Sequence, residues 1–167
     1  MHSYAFAYSL KLEDGEVFFR FPAIPEIISS VSDDRFKEMS SGEIQAFADD
    51  AVLTWLQLCI SARDDLPEPE DLTLVQLHGI VRLTPIVAMK LELYRVFRAN
   101  CRSMAEFSRK IGKRDTNARR LLDLTHSSQT KEVNNALAVF GKRLVHGWGI
   151  ENLNDPSQYK GAVLKAA

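Results

Sequence analysis

From residue 4 to residue 12 the chain reads Tyr-Ala-Phe-Ala-Tyr-Ser-Leu-Lys-Leu, so Tyr4, Phe6, Tyr8, Leu10 and Leu12 alternate with small or polar residues. A period of two predicts a half-buried strand. Asp14-Gly15 follows, a dipeptide that favours a tight hairpin turn. Residues 16–21 resume in strand-like residues and 24–31 predict a third strand, while Pro22 and Pro25 rule out a continuous ladder between them. The polar run 32–39 reads as a loop. At Ser40 the period changes. Ser40-x-x-Glu43 is a capping box, and Ile44, Phe47, Ala48, Ala51, Val52, Trp55, Leu56 and Cys59 then recur at three- and four-residue spacing. That stripe predicts an amphipathic helix whose apolar face needs a partner, and the sheet is the available one. Pro67 and Pro69 among acidic residues predict an extended connector. Residues 74–83 predict a fourth strand, interrupted by Gly79. The order β-β-β-α-β predicts an α+β layer with the helix on one face.

The back half changes to short helices. Thr84-Pro85 pairs a cap residue with proline at the first helical position, and the predicted helix runs to about residue 99. It is apolar on two sides: Ile86, Met89, Leu93 and Phe97 form one stripe, and Val87, Leu91 and Tyr94 another. A core needs one stripe. The second predicts a self-association seam, and a helix wedged between two domains would look the same. Ser103-x-x-Glu106 is a second capping box, opening a short helix that Gly112 ends. A further helix is predicted over 115–122 with Ala118, Leu121 and Leu122 inward, and another over 130–140, stopped by Gly141. Two helices joined by a glycine turn, the second rich in Arg, have the sequence form of a helix-turn-helix. Residues 142–150 predict a final short strand and 151–167 a loose tail.

Charge sharpens this division. The net charge is −1. Residues 1–78 nevertheless hold five basic against fifteen acidic side chains, and residues 79–149 fourteen basic against five acidic, so the parts carry −10 and +9. Opposite halves predict two surfaces with different partners. Boundaries follow at 1–78 for a protein-binding α/β domain, 79–150 for a DNA-binding and dimerising domain, and 151–167 for the tail. No run approaches the ~18 apolar residues of a membrane span and no leader pattern opens the chain, so the cytoplasm is the expected compartment.

On the basic helix, Arg114, Thr116, Asn117, Arg119 and Arg120 are the residues expected to face a groove. Arg matches a guanine edge and Asn an adenine edge. Lys113, Lys131, Arg109 and Lys110 suit phosphates, which give affinity and register without sequence information. One such unit reads few base pairs, so two copies on a two-fold operator are expected, with Val87, Leu91 and Tyr94 as the dimer seam. The opposing reading is that Arg119 and Arg120 solvate a helix face or pair with Asp115 and Asp123.

Catalytic chemistry is not expected. Two-metal hydrolysis needs converging carboxylates, and the first strand offers none. His2, His78, His126 and His146 lack ligand spacing, Cys59 and Cys101 complete no zinc set, and no glycine-rich phosphate loop is present. No cofactor and no metal are expected.

These residues resemble the HicB antitoxin family in its helix-turn-helix form, over about residues 4–150. The resemblance rests on the strands around Asp14-Gly15, on Phe21-x-x-x-Pro25, on the helix 44–60 and on the Leu66–Pro69 bend. Further on it rests on Pro85-x-x-x-x-Lys90-x-x-Leu93, Ala105-Glu106-Phe107, Ile111-Gly112, Arg120-Leu121-Leu122-Asp123, His126, Ala136-Leu137 and Gly141-Lys142-Arg143-Leu144. It implies an N-terminal partial RNase H-like domain that covers the catalytic His of a small mRNA-cleaving toxin, HicA. It also implies a lambda-repressor-like helix-turn-helix domain that forms a homodimer or tetramer and represses the shared operon. An acidic front half suits a basic, RNA-binding toxin. Four departures stand out, one of them the tail after Ile150, which has no family counterpart. The 32–41 stretch is longer than the family usually shows. Arg114 stands at a usual cap position, which predicts that Asp115 caps instead and shifts the reading face. Ser108 replaces a common Ala. The residues alone leave open a stand-alone transcriptional regulator with a sensing domain, or a pure interaction module.

Overall fold

Asp14-Gly15 sets the register of the first hairpin. β1 (Ala5–Glu13) and β2 (Glu16–Arg20) pair antiparallel from Glu13↔Glu16 to Ser9↔Arg20. In the computed structural model the described residues are 4–67 and 78–142. β3 (Ser29–Ser32) pairs with β2, and β4 (Gly79–Arg82) pairs with the other side of β1, giving an antiparallel sheet of order β3-β2-β1-β4. The class is α+β. Residues 4–8 are all buried, because β1 is central, whereas Leu12 at the hairpin end is 59% exposed. The simple alternation expected along this strand therefore does not hold: residues 4–8 are buried on both faces, and beyond Tyr8 exposure rises toward the hairpin on both faces alike.

Two expectations need correction here. The third strand is shorter than 24–31. Ile24 and Ile27 instead close successive turns onto Phe21 and Ile24, so their apolar side chains are buried from a turn rather than a ladder. The stretch expected to be a loop contains α1 (Asp33–Glu38), with Lys37 on Asp33 at 2.6 Å. Its single aromatic, Phe36, meets Phe19 edge-on at 6.5 Å, which is what orders it.

α2 (Ser41–Ala62) begins as the capping box predicts. The Glu43 amide donates to Ser40 Oγ at 3.3 Å, and the Ser40 amide donates to Glu43 Oε2 at 2.8 Å. Its first half packs Phe47 on Phe19 at 4.8 Å, and Gln45 Nε2 donates to the Ile80 carbonyl of β4. The fourth strand is confined to Gly79–Arg82 among the described residues, and 74–77 lie outside them. Gly79 is there for space: a Cβ would sit 2.3 Å from Cζ of Tyr8, which pairs with it across the ladder. Tyr8 is itself wedged against Phe19 and Phe21 at 5.7 and 6.0 Å, so it cannot swing away. Gly79→Ala is expected to cost about 1–3 kcal/mol by overpacking, read as a lower urea midpoint with unchanged slope.

The chain divides into two compact units. Among the described residues the first holds 4–52, 67 and 78–82, and the second 53–66 and 83–142. The second half of α2 thus groups with the later helices. These are α3 (Pro85–Asn100), α4 (Met104–Lys110), α5 (Asp115–Leu122) and α6 (Thr130–Val139). Gln57 Oε1 accepts the Leu124 amide at 2.8 Å, and Tyr94 Oη donates to the Asp64 carbonyl at 2.7 Å. Phe107 packs between Phe97 and Phe140, at 5.1 and 6.0 Å.

α3 is buried on every side. Val87, Leu91 and Tyr94 are 8%, 0% and 1% exposed. The stripe expected to join two copies is used up inside the chain, so these three residues have no surface to offer a second molecule. Residues 143–150, most of the expected last strand, and the tail 151–167 lie outside the described residues. Among the described residues no helix is long and apolar enough to cross a membrane.

Candidate nucleic-acid interface

α4 opens at Ser103, whose hydroxyl accepts the Glu106 amide at 3.2 Å. It closes at Gly112, which takes a left-handed φ of 65°. The Gly112 and Lys113 amides then donate to the Arg109 and Ser108 carbonyls at 3.2 and 3.0 Å, the paired bonds that end a helix sharply. This turn redirects the chain into α5 within a few residues. Ser108, where Ala was the common expectation, is 3% exposed, and its hydroxyl is satisfied by the Met104 carbonyl at 2.8 Å.

α5 buries Ala118, Leu121 and Leu122 at 0–3% exposure. At ~100° per residue the opposite side of the helix carries Thr116 and Arg120, flanked by Asn117 and Arg119. All four, with Arg114, are exposed. Arg114 is the cap residue, without a side-chain cap bond, and Asp115 is already inside the helix. The expected shift of the cap onto Asp115 does not occur, and the outward face stays as read. Asp115 near the N-terminus and Arg119 and Arg120 in the last turn complement the helix dipole.

The cations sort into two groups. Lys113 is committed to Glu132 of α6 at 2.9 Å, and Lys110 to Glu106 at 3.0 Å and the Asn100 carbonyl at 2.7 Å. Both were expected at phosphates, and both instead hold α4 and its turn in place. By contrast, among the described residues no carboxylate lies within ion-pair distance of Arg114, Arg119, Arg120 or Lys131. The pairing of Arg119 and Arg120 with Asp115 and Asp123 is not formed. The uncommitted guanidiniums of Arg119 and Arg120 lie on the exposed side of a short helix with Arg114 at its cap, a chemistry suited to phosphate oxygens and guanine edges.

The end of α5 is clamped by Lys90 and Asp123, motif positions whose role the sequence left unassigned, together with the His126 carbonyl and Ser128. Lys90, 1% exposed, donates its ammonium to the Asp123 and His126 carbonyls. Burial pushes its pKa down, against the pull of the Asp123 carboxylate. Asp123 Oδ1 accepts the Thr125 amide at 2.9 Å and its hydroxyl at 2.7 Å. Ser128 Oγ donates to the Arg120 carbonyl at 3.3 Å. The legible signal for Lys90 was a cation lying between the two apolar stripes of its helix.

Asp123 carries a pH signature. Burial works against its charge, but the Thr125 hydroxyl and amide, the His126 amide and Lys90 together hold its carboxyl below the usual range. Its contribution to stability is therefore complete above the unfolded carboxylate pKa of ~3.9 and is lost as pH falls through the lower folded value. Urea midpoints measured from pH 6 down to pH 2 should fall more steeply for the native chain than for Asp123→Asn.

No family model matches the chain. Two curated proteins do. It is 29% identical over 139 residues to Antitoxin HicB 2 of Photorhabdus laumondii, covering 82% of this chain and 92% of that protein. It is 28% identical over 145 residues to Antitoxin HicB of Pseudomonas fluorescens, covering 86% and 94%. The chain is thus similar, along nearly its whole length, to two proteins named HicB antitoxins.

Proposed function

We propose that this protein is the antitoxin of a toxin–antitoxin pair and the repressor of its own operon. The observation that carries the reading is its near full-length similarity to two HicB antitoxins. The exposed, ion-pair-free arginines of α5 support the repressor half of it. In this reading α4 and α5 form a lambda-repressor-like helix-turn-helix within residues 79–150. Arg114, Thr116, Asn117, Arg119 and Arg120 face the groove, and Lys131 faces phosphates. Residues 1–78 form the family's partial RNase H-like layer and dock a HicA-type ribonuclease. The first unit supports this with exposed acidic side chains, among them Asp14 and Glu26 in turns and Asp34 and Glu38 on α1. Such a surface complements a basic RNA-binding protein. The role is regulatory and not catalytic, and the compartment is the cytoplasm. Two copies act together on a two-fold operator, through a surface other than the α3 stripe.

The test pairs two measurements on the full chain. Co-expression with the product of the adjacent gene should restore growth and allow co-purification. A gel shift with the segment upstream of the operon should show a retarded band that weakens steeply with salt. Retardation without rescue would favour the stand-alone regulator, and failure of both would remove the reading.

A further inference from the structure

Three helices of the second unit end in the same hydrogen-bonded motif. α4 ends at Gly112 and α6 at Gly141, both left-handed, with φ of 65° and 71°. α2 ends at Arg63, also left-handed, with φ 63°. Its amide donates to the Ile60 carbonyl at 3.3 Å and the Asp64 amide to the Cys59 carbonyl at 2.9 Å. The backbone requirement is the same in all three, and glycine meets it without steric cost. At α2 the chain bears that cost and keeps a long cation.

The side chain at this position is exposed, with its guanidinium 5.9 Å from the Phe97 ring. It lines a cleft of about 380 Å³ together with Gln57, Ser61, Thr116, Arg119 and Arg120. Three arginines, from the end of α2 and from α5, thus line one hollow, with the Thr116 hydroxyl beside them, while the Ser61 hydroxyl is spent on the Gln57 carbonyl at 2.9 Å. The nearby acids are mostly engaged. Asp65 is held by Arg98 at 3.0 Å and Asp123 by Thr125, which leaves Asp64 as the opposing charge.

We infer that Arg63 is a phosphate contact of the bound duplex, extending the α5 face across this cleft to the DNA backbone. This rests on the repressor reading of α5. The cleft shares Thr116, Arg119 and Arg120 with the proposed reading face, so a duplex seated on that face brings a backbone strand to the hollow. A phosphate fits this lining, because a guanidinium grips it bidentately. Arg63 reads no base, so it adds affinity equally on every sequence.

The test uses the full chain, the duplex upstream of its own operon and a scrambled duplex of equal length. Arg63→Gly relieves the left-handed strain, and Arg63→Met keeps the stem over Phe97 without the charge. Both should weaken binding roughly three- to tenfold on the two duplexes alike, and lower the slope of log affinity against log salt by about 0.9. Arg63→Gly should not lower the melting temperature. Arg120→Ala is the reference, since it should weaken the operator far more than the scramble. If Arg120→Ala behaves so while both Arg63 variants keep the native slope, this inference fails and the repressor reading stands. If the native chain binds neither duplex, both fail. A lower melting temperature with unchanged affinity would assign Arg63 to packing on Phe97, and weakened capture of the neighbouring toxin with unchanged DNA binding would assign the cleft to a protein. Either result overturns the inference.

Discussion

Lys90→Ala should lower the stability of the second unit by about 3 kcal/mol, which for a chain of this size is a drop of roughly 10 °C in melting temperature. Two losses add up. The stem of Lys90 is packed within α3 at 1% exposure, so truncation opens a cavity. Its ammonium also donates to the part-buried Asp123 and His126 carbonyls, and truncation leaves the first with only the His126 amide and removes that donor from the second. Lys90→Met separates the two, because it keeps the volume and removes only the donors. It should recover about half of the loss. Calorimetry of the three proteins decides the matter: equal melting temperatures for native and Met proteins would show that the carbonyls find other partners. Loosening at this turn should also reach DNA binding, since the Asp123 turn fixes where α5 ends.

Arg120→Ala is expected to cost ten- to a hundredfold in operator affinity, about 1–3 kcal/mol, with a much smaller loss on scrambled duplex. The reason is position. Arg120 lies opposite the buried Ala118, Leu121 and Leu122 and has no carboxylate partner among the described residues. Its donors are therefore not already spent. Lys131→Ala is the contrasting case. It should weaken both duplexes alike and lower the salt slope by about 0.9, as one lost phosphate contact does. Lys113→Ala should disturb folding more than salt dependence, because its ammonium already holds Glu132. Fluorescence anisotropy titrations at several salt concentrations separate these outcomes. Equal loss on both duplexes for Arg120→Ala would take it off the base edges.

What was legible in the sequence was local. Ser40 with Glu43 and Ser103 with Glu106 announce helix starts because the cap chemistry lies within four residues. The bounds of α5 follow from Gly112 in front and three inward apolar residues. α1 was illegible because its order comes from one aromatic, Phe36, resting on Phe19 seventeen positions earlier. Apolar stripes showed that a face is buried, not what covers it. Hence Val87, Leu91 and Tyr94 looked like a seam between copies, and the α2 stripe looked like one surface although its two halves group with different units. In the candidate interface, Arg114, Arg119 and Arg120 were visible by composition. The engagement of Lys113 and Lys110 was not, since Glu132 lies nineteen residues from Lys113 and the Asn100 carbonyl ten from Lys110.

α5 is eight residues long. Two turns of helix do not hold together alone in water, since nucleation is costly and isolated helices shorter than ~12–15 residues are marginal. Its shape is lent by the neighbours that cover Ala118, Leu121 and Leu122 and by the ammonium beneath its last turn. A peptide cut from this stretch would keep the positive charge and lose the spacing. It would cling to any polyanion without choosing among them, so discrimination belongs to the assembled unit and vanishes when that unit melts.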